Sequence, residues 1–332
     1  MTPRIAAALT VPRIAPRVSL SARTLVAAAL FAATGTAFAA APMAKAQAPG
    51  FYRTMVGDFE VTVLSDGTVD LPMDKLLHDK PAKVQGALAK NFLKAPVETS
   101  VNTFLINTGG KLVLVDTGAG TLFGPTLGKL LTSLKSAGYQ PEQVDEIYIT
   151  HLHPDHVGGL GNADKAAFPN AVVRADKHDA DFWLSKAQQD AAPQDKKSYF
   201  QNAQASLAAY AGANRFQAFD GNTELVPGIR ATSSYGHTPG HTSYVVESRG
   251  QKLVLIGDLI HAQFIQFDDP SVTIEFDSDT KAALASRKAA FADAAKSGYL
   301  IGAAHLPFPA LGHLRISGKG YQFVPVNYSV PR

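Results

Sequence analysis

From Phe51 to Val69 apolar and polar residues alternate (Phe59, Val61, Val63), and Asp66–Gly67 supplies turn chemistry, so a first hairpin is predicted there. Pro72–Ala95 is mixed, and Leu76 and Leu77 are expected to stand exposed in a loop near a functional site. Val101–Ile106 and Leu112–Val115 read as strands joined through Thr108–Gly109–Gly110, and a helix is predicted from about Phe123 to Ala137, stopped by Gly138. Val144–Thr150 is a buried strand and Ala171–Arg174 a short one, while Ala175–Tyr210 reads as helical pieces broken near Pro193. Ile229–Ser233 leads to a second hairpin, Thr242–Glu247 with Lys252–Ile256. An amphipathic helix (Asp279–Lys296) and a strand (Tyr299–Ala304) follow, ending at His305.

One pattern occurs twice. Lys111–Leu–Val–Leu–Val–Asp116 returns as Lys252–Leu–Val–Leu–Ile–Gly–Asp258, each time closing a strand pair and followed by a helix. Two related halves packed sheet against sheet, with helices outside, give an α/β fold of αββα sandwich type. The acids are one position out of register, so Asp116 and Asp258 should face opposite ways. This makes Asp116 a brace rather than a metal ligand.

Residues 1–39 fall outside this pattern. Arg4, Arg13, Arg17 and Arg23, with no acidic residue, precede an apolar run from Leu25 to Phe38, and Ala37–Phe38–Ala39 fits a small-x-small cleavage site, with Ala44–Lys45–Ala46 as a fallback. This is the pattern of an export signal, so a periplasmic or secreted protein is expected. Residues 40–50 read as a flexible lead-in to a single domain over 51–332. The whole chain is +3, and without the four leader arginines it is −1. A nearly neutral body offers no field for nucleic acid or an anionic membrane, so the expected partner is a small-molecule substrate; a homodimer is compatible with the sequence. With zero cysteines, any metal site must be built from nitrogen and oxygen donors.

Such donors are concentrated at Thr150–His151–Leu152–His153–Pro154–Asp155–His156–Val157–Gly158–Gly159. Alternation along an extended chain puts His151 and His153 on one side, and the turn at Pro154 sends Asp155 and His156 toward a second position. Gly158 and Gly159 permit close backbone approach. A lone histidine at a strand end is more often structural than ligating, yet His237, Asp258 and His305 also follow apolar runs. Seven ligand-type side chains exceed one tetrahedral ion and suit two divalent metals, zinc first, with Asp258 able to share its two oxygens. Two such ions roughly 3.5–4 Å apart can hold a bridging hydroxide that is nucleophilic at neutral pH.

His151-x-His153-x-Asp155–His156, Gly236–His237–Thr238–Pro239–Gly240–His241, Gly257–Asp258 and the late His305 resemble the metallo-β-lactamase superfamily in order and spacing, and Asp116–Thr117–Gly118 fits the same pattern. The resemblance implies that His151, His153 and His237 hold one metal and Asp155, His156 and His305 the other. Asp258 then bridges, His241 stands behind the ligands, and Asp116 braces the ligand loop. Within the superfamily the chain resembles exported methyl parathion hydrolases and their aryl-lactonase relatives, through Leu122–Leu127, Ala180–Leu184, Gln266–Val272 and Phe323–Tyr328. That group's aromatic pocket falls on Phe123, Trp183 and Tyr199 or Phe200, residues that read equally well as core.

The chain also departs from that group. His261 replaces a leucine three residues past Asp258, Ile274 and Phe276 replace threonine and leucine, Leu76 replaces an arginine, and one residue is missing near Lys197–Tyr199. An imidazole at His261 facing the metals suits a lactone or aryl ester more than a bulky thiophosphate, and Phe276 narrows the entrance. The expected activity is therefore hydrolysis of aromatic lactones or aryl esters, with methyl parathion-type phosphotriester hydrolysis as the alternative. β-Lactamases lack the shared acid, thioester hydrolases need a basic groove, and nucleases need phosphate-binding charge. A non-catalytic zinc-buffering protein and an iron-dependent oxidase remain as competing classes.

Overall fold

The computed structural model describes residues 41, 43–45 and 47–330, so the leader expected over residues 1–39 lies outside the described residues. The described part of the lead-in up to Pro49 is exposed and carries no regular secondary structure. No described helix is long and apolar enough to cross a membrane.

Two seven-stranded sheets carry the fold. The first contains β1 (Phe51–Val56), β2 (Phe59–Leu71), β3 (Val97–Asn107), β4 (Leu112–Val115), β5 (Glu146–Tyr148), β6 (Val172–Asp176) and β7 (Phe216–Phe219). The second contains β8 (Thr223–Val226), β9 (Ile229–Ser233), β10 (Thr242–Ser248), β11 (Gln251–Leu255), β12 (Leu300–Gly302), β13 (Leu311–Ser317) and β14 (Gly320–Pro325). In each sheet the spatial order of strands is the order in the chain. The duplicated pattern occupies equivalent places: β4 and β11 are each fourth in their sheet, antiparallel to the strand before and parallel to the strand after.

Period-two alternation explains the layers. Val113 and Val115 of β4 join Phe104, Ile106, Tyr244, Val246, Leu253 and Leu255 in one core shared by both sheets, to which helix α5 (Thr280–Ser297) adds Phe291 and Ala294. Leu112 and Leu114 face the other way, into a second core. There they meet α2 (Leu130–Ser136) through Leu130 and Leu134, α3 (Lys177–Trp183) through Trp183, and α4 (Lys197–Gly212) through Phe200, Leu207 and Tyr210. Both faces of β4 are buried, which is why its sequence is continuously apolar. The result is the expected αββα sandwich.

Three local expectations are corrected. The first hairpin turns at Gly57–Asp58, and Asp66–Gly67 is instead a bulge inside β2. At that bulge the Asp66 carboxylate, with no exposed surface, accepts from the backbone N–H groups of Ala119, Gly128 and Leu130 at 2.9–3.0 Å. Gly67 sits at φ +120, and a Cβ there would lie 2.0 Å from the Thr126 carbonyl oxygen. Because Asp66 satisfies these amides, residues 116–129 stay a loop, and the helix expected from Phe123 begins only at Leu130. Leu77 is buried rather than exposed, paired with Ile274 across a small two-stranded ladder; Leu76 packs beside the same cluster, which includes Met73, Val84 and Leu88 of α1 (Pro81–Lys90).

Asp66→Ala should leave three amides without an acceptor, those of Ala119 and Leu130 buried. At about 1–3 kcal/mol for an orphaned buried group, a loss of at least about 2 kcal/mol is expected in denaturant unfolding. An unchanged midpoint would mean that water or another acceptor replaces the carboxylate.

Candidate metal centre

Most of the ligand-type residues lie just past the ends of strands that pair in parallel, while His237 follows the antiparallel β9. Asp116 follows β4, His151 and His153 follow β5, Asp258 follows β11, and His305 follows β12. Strand ends of this kind gather loops at one edge, where sites form in open α/β sheets. The two sheets are tied at that edge by backbone bonds from Thr242 N to the Thr150 carbonyl (2.8 Å) and from Asn102 N to the Ala304 carbonyl (2.9 Å). Close approach is needed at Gly159, where a Cβ would stand 1.8 Å from the Thr117 carbonyl oxygen.

The structure brings all seven expected ligands together, and His261 with them. Donor atoms of His151, His153 and His237 lie within 4.8 Å of one another, as do those of Asp155, His156 and His305; Asp258 joins His151 and His156. Asp258 Oδ2 is 3.6 Å from His151 Nε2, 3.3 Å from His156 Nε2, 3.4 Å from His237 Nε2, and 3.1 Å from both His261 Nε2 and His305 Nε2. His237, Asp258 and His261 form a further set of the same span.

The outer nitrogens explain why the inner ones point inward. His156 Nδ1 donates to Asp116 Oδ2 at 2.9 Å, His237 Nδ1 to Asp277 Oδ1 at 2.9 Å, and His305 Nδ1 to the Ser100 carbonyl at 3.0 Å. Carboxylate and carbonyl oxygens here only accept, so a proton sits on Nδ1 and Nε2 is turned to the centre; Asp258 and the other acids near these rings favour a second proton there, whose place an ion would take. His151 Nδ1 lies 3.1 Å from Thr150 Oγ1, whose own proton goes to Asp116 Oδ2 at 2.8 Å. Asp116 therefore braces two histidines at once, and does so from the left-handed region (φ 60), a strained conformation for a residue with a side chain. Asp116 meets His156 at Nδ1 and Asp258 lies by Nε2, on the opposite side of the ring.

His241 serves Asp258 from behind. Its Nε2 accepts the Asp258 N–H at 3.0 Å while Nδ1 lies 2.8 Å from Ser234 Oγ and 3.1 Å from the Ser234 carbonyl. Burial pushes its imidazole down to about 3, so it stays neutral and keeps that acceptor. Burial likewise holds His151 and His153 well below the ordinary histidine range. It would raise Asp258, but the surrounding imidazoles, His156 foremost, bring that carboxyl well below the usual range.

Five buried atoms of the cluster, His151 Nε2, His156 Nε2, both ring nitrogens of His261 and Asp258 Oδ1, have no hydrogen-bond partner. Lone pairs stranded this way are costly unless a cation takes them, and a donor set of imidazoles and carboxylates fits divalent ions of the zinc type.

Beside the cluster is a narrow cavity of about 60 Å3 lined by Val69, Leu71, Phe123, Leu127, Tyr199 and Phe276, with His153, Asp155, Asp258, His261 and His305 on its polar side. An adjoining groove of about 310 Å3 shares His153, Tyr199 and Phe276 and adds Phe182, Trp183 and Phe200. Phe123, Tyr199 and Phe276 thus line the cavity as expected, while Trp183 and Phe200 line the groove and also pack in the second core. Leu76 and Ile274 line neither; the ladder that pairs Leu77 with Ile274 turns both toward the third apolar cluster.

Sequence reasoning missed Val69, Leu71 and Leu127 on the wall and two acids behind it. Asp277 braces His237, and only its place next to Phe276 could have hinted at this. Asp179 of α3 accepts from Leu152 N (2.8 Å) and Gly240 N (2.6 Å), joining the two histidine loops; burial raises its carboxyl to about 6. Nothing local marks it.

A solved structure described as the hydrolase AbOPH in the beta lactamase superfamily is 39% identical, with 86% of this chain and 100% of that chain covered at a TM-score of 0.82. AidC, described as a dizinc quorum-quenching lactonase in complex with a product, is 28% identical over 85% of this chain and 99% of its own, at a TM-score of 0.77. An N-acyl homoserine lactonase of Bacillus cereus is 31% identical over 153 residues, 46% of this chain and 52% of that protein. The chain thus spans about half the length of the curated relatives it matches. The sequence model described as the metallo-beta-lactamase superfamily matches residues 96–296, more than half of the chain and every ligand-type residue above except His305. On that match, and on the sandwich and histidine cluster it accompanies, this chain belongs to the metallo-β-lactamase superfamily.

Proposed function

We propose that this protein is a metal-dependent hydrolase that opens aromatic lactones or cleaves aryl esters, with two divalent ions held by His151, His153, His237, Asp155, His156, His305 and a shared Asp258. The observation that carries the choice of ester is His261. It is buried against the cluster, neither ring nitrogen has a hydrogen-bond partner, and it stands beside Phe276 (ring centroids 5.9 Å) on the wall of an apolar cavity. The lactonase relatives support the same reaction class.

When bound, the two ions supply Lewis acidity and acidify water at neutral pH. Hydrolysis of a lactone adds water oxygen to the carbonyl carbon, breaks the ring C–O bond and leaves the departing oxygen to take a proton. An N–H of His261 donates to the carbonyl oxygen as its negative charge grows, a contribution of about 2.7–4 kcal/mol for a donor of that kind. Phe123, Leu127, Tyr199 and Phe276 hold the apolar part of the ester and exclude bulk water. The narrow cavity favours a flat ring over a tetrahedral thiophosphate. The phosphotriester reading is favoured by the adjoining aromatic groove, where Trp183 and Phe200 could receive an aryl leaving group. The expected leader places this activity in the periplasm or outside the cell.

Asp258→Ala is expected to lose bound metal and most turnover together, and a variant with two ions per chain and near-normal rates would sink the shared-ligand assignment. Asp116→Asn should weaken metal binding by roughly 10–100-fold, as loss of an orienting partner does.

For substrate class, kcat/KM is compared on dihydrocoumarin, an acyl-homoserine lactone, an aryl ester, methyl parathion and a β-lactam. His261→Leu is expected to lower lactone turnover and raise methyl parathion hydrolysis, with Phe276→Leu adding to the second effect by widening the cavity. A parallel fall on both substrates would make His261 structural and remove the main support for a lactonase.

A further inference from the structure

Helix α5 carries an arginine with no exposed surface, Arg287. A buried guanidinium usually sits in direct contact with a carboxylate, because desolvating an unpaired cation is expensive. Arg287 is arranged differently. Its Nε donates to the Leu259 carbonyl (2.5 Å), and Nη1 donates to the carbonyls of Val272 (2.7 Å) and Pro270 (3.2 Å). Nη2 has no hydrogen-bond partner and stands 3.8 Å from Asp277 Oδ2. That oxygen otherwise takes only a 3.3 Å bond from Ile274 N.

The placement of these groups relates Arg287 to the cluster at two points. Leu259 directly follows Asp258, and the other oxygen of Asp277 fixes His237 Nδ1 at 2.9 Å. Between them, the wholly buried Gln266 accepts from His261 N (2.8 Å) and Ala262 N (2.9 Å) and donates to the Val272 carbonyl (3.0 Å), the carbonyl that Arg287 also uses. One planar side chain from an outer helix therefore reaches the strand end behind the central carboxylate and the acid behind His237. Five donors in a rigid fork suit that task, and a lysine could not span it.

We propose that Arg287 is a positioning residue of the metal centre, holding segment Leu259–Asp277 in place and, through Asp277, setting the His237 imidazole to receive an ion. The proposal rests on the two-metal reading above. Fixing a ring from behind matters because metal affinity depends on ligand orientation as well as ligand identity.

The test is chelator competition on the metal-loaded protein, with metal counted per chain and the visible spectrum of a cobalt-substituted form recorded. Arg287→Met and Asp277→Asn should each weaken one ion by about 10–100-fold and alter the cobalt bands. The double variant should be no weaker than the worse single within about twofold, since both act on one histidine. Wild-type affinity in folded Arg287→Met, or fully additive losses, would overturn the proposal and leave Arg287 as core packing. Should Arg287→Met not fold, Arg287→Lys keeps the charge and stem without the fork, and wild-type affinity there overturns it equally. Fewer than two ions in the unsubstituted protein would instead defeat the two-metal reading, whatever the variants do.

Discussion

Five buried imidazoles converge on one carboxylate oxygen, and the rest of the structure can be understood as the means of keeping them there. Asp258 Oδ2 lies 3.1–3.6 Å from Nε2 of His151, His156, His237, His261 and His305. Burial disfavours protonation of His151 and His261, whereas Asp258 and its neighbouring carboxylates outweigh burial at His156, His237 and His305 and hold those rings above the ordinary histidine range. A bound cation would take the place of those protons and leave the rings neutral. The polar core of this protein is thus built for a ligand, and the apolar sandwich supplies the rigidity that holds unsatisfied groups at close range.

That rigidity comes from behind. Asp116, Thr150, Asp277, the Ser100 carbonyl, Asp179 and His241 each take an outer atom of the cluster or the backbone next to it. Asp66 does the same for the loop that carries Phe123 and Leu127 to the cavity wall. The supporting carboxylates come from the first sheet and the loop after it, from α3, and from the segment before α5, so the support does not rest on one element. Local strain at Asp116 is tolerated because its side chain is held at three atoms.

The two cavities meet at His153, Tyr199 and Phe276, which makes Phe276 the partition between chemistry and aromatic groove. His261 stands beside Phe276 on the polar side of the smaller cavity. Under the proposed hydrolase function, these two positions are where substrate size and polarity would be tuned.

The sequence by itself determined the sandwich, the duplicated halves and which ligand-type side chains gather at one edge, because each rests on short-range pattern. Alternation fixes which face of β4 or β11 is buried, and donors that follow a strand emerge at a sheet edge. Asp116 meets the outer nitrogen of His156 and Asp258 lies by the inner one. Tertiary structure alone decided the rest. Asp66–Gly67 has the local chemistry of a hairpin turn and became a bulge because distant amides at Ala119, Gly128 and Leu130 needed its carboxylate. Those bonds also delayed the helix from Phe123 to Leu130. Leu76 and Ile274 look like wall residues by position, yet a two-residue ladder turns them into a separate core. Asp179, Asp277, Gln266 and Arg287 carry no motif, since their partners are up to 61 residues away or are backbone groups that any sequence presents. A side chain's periodicity records which way it faces, but the group it meets is set only when the two sheets close on one another.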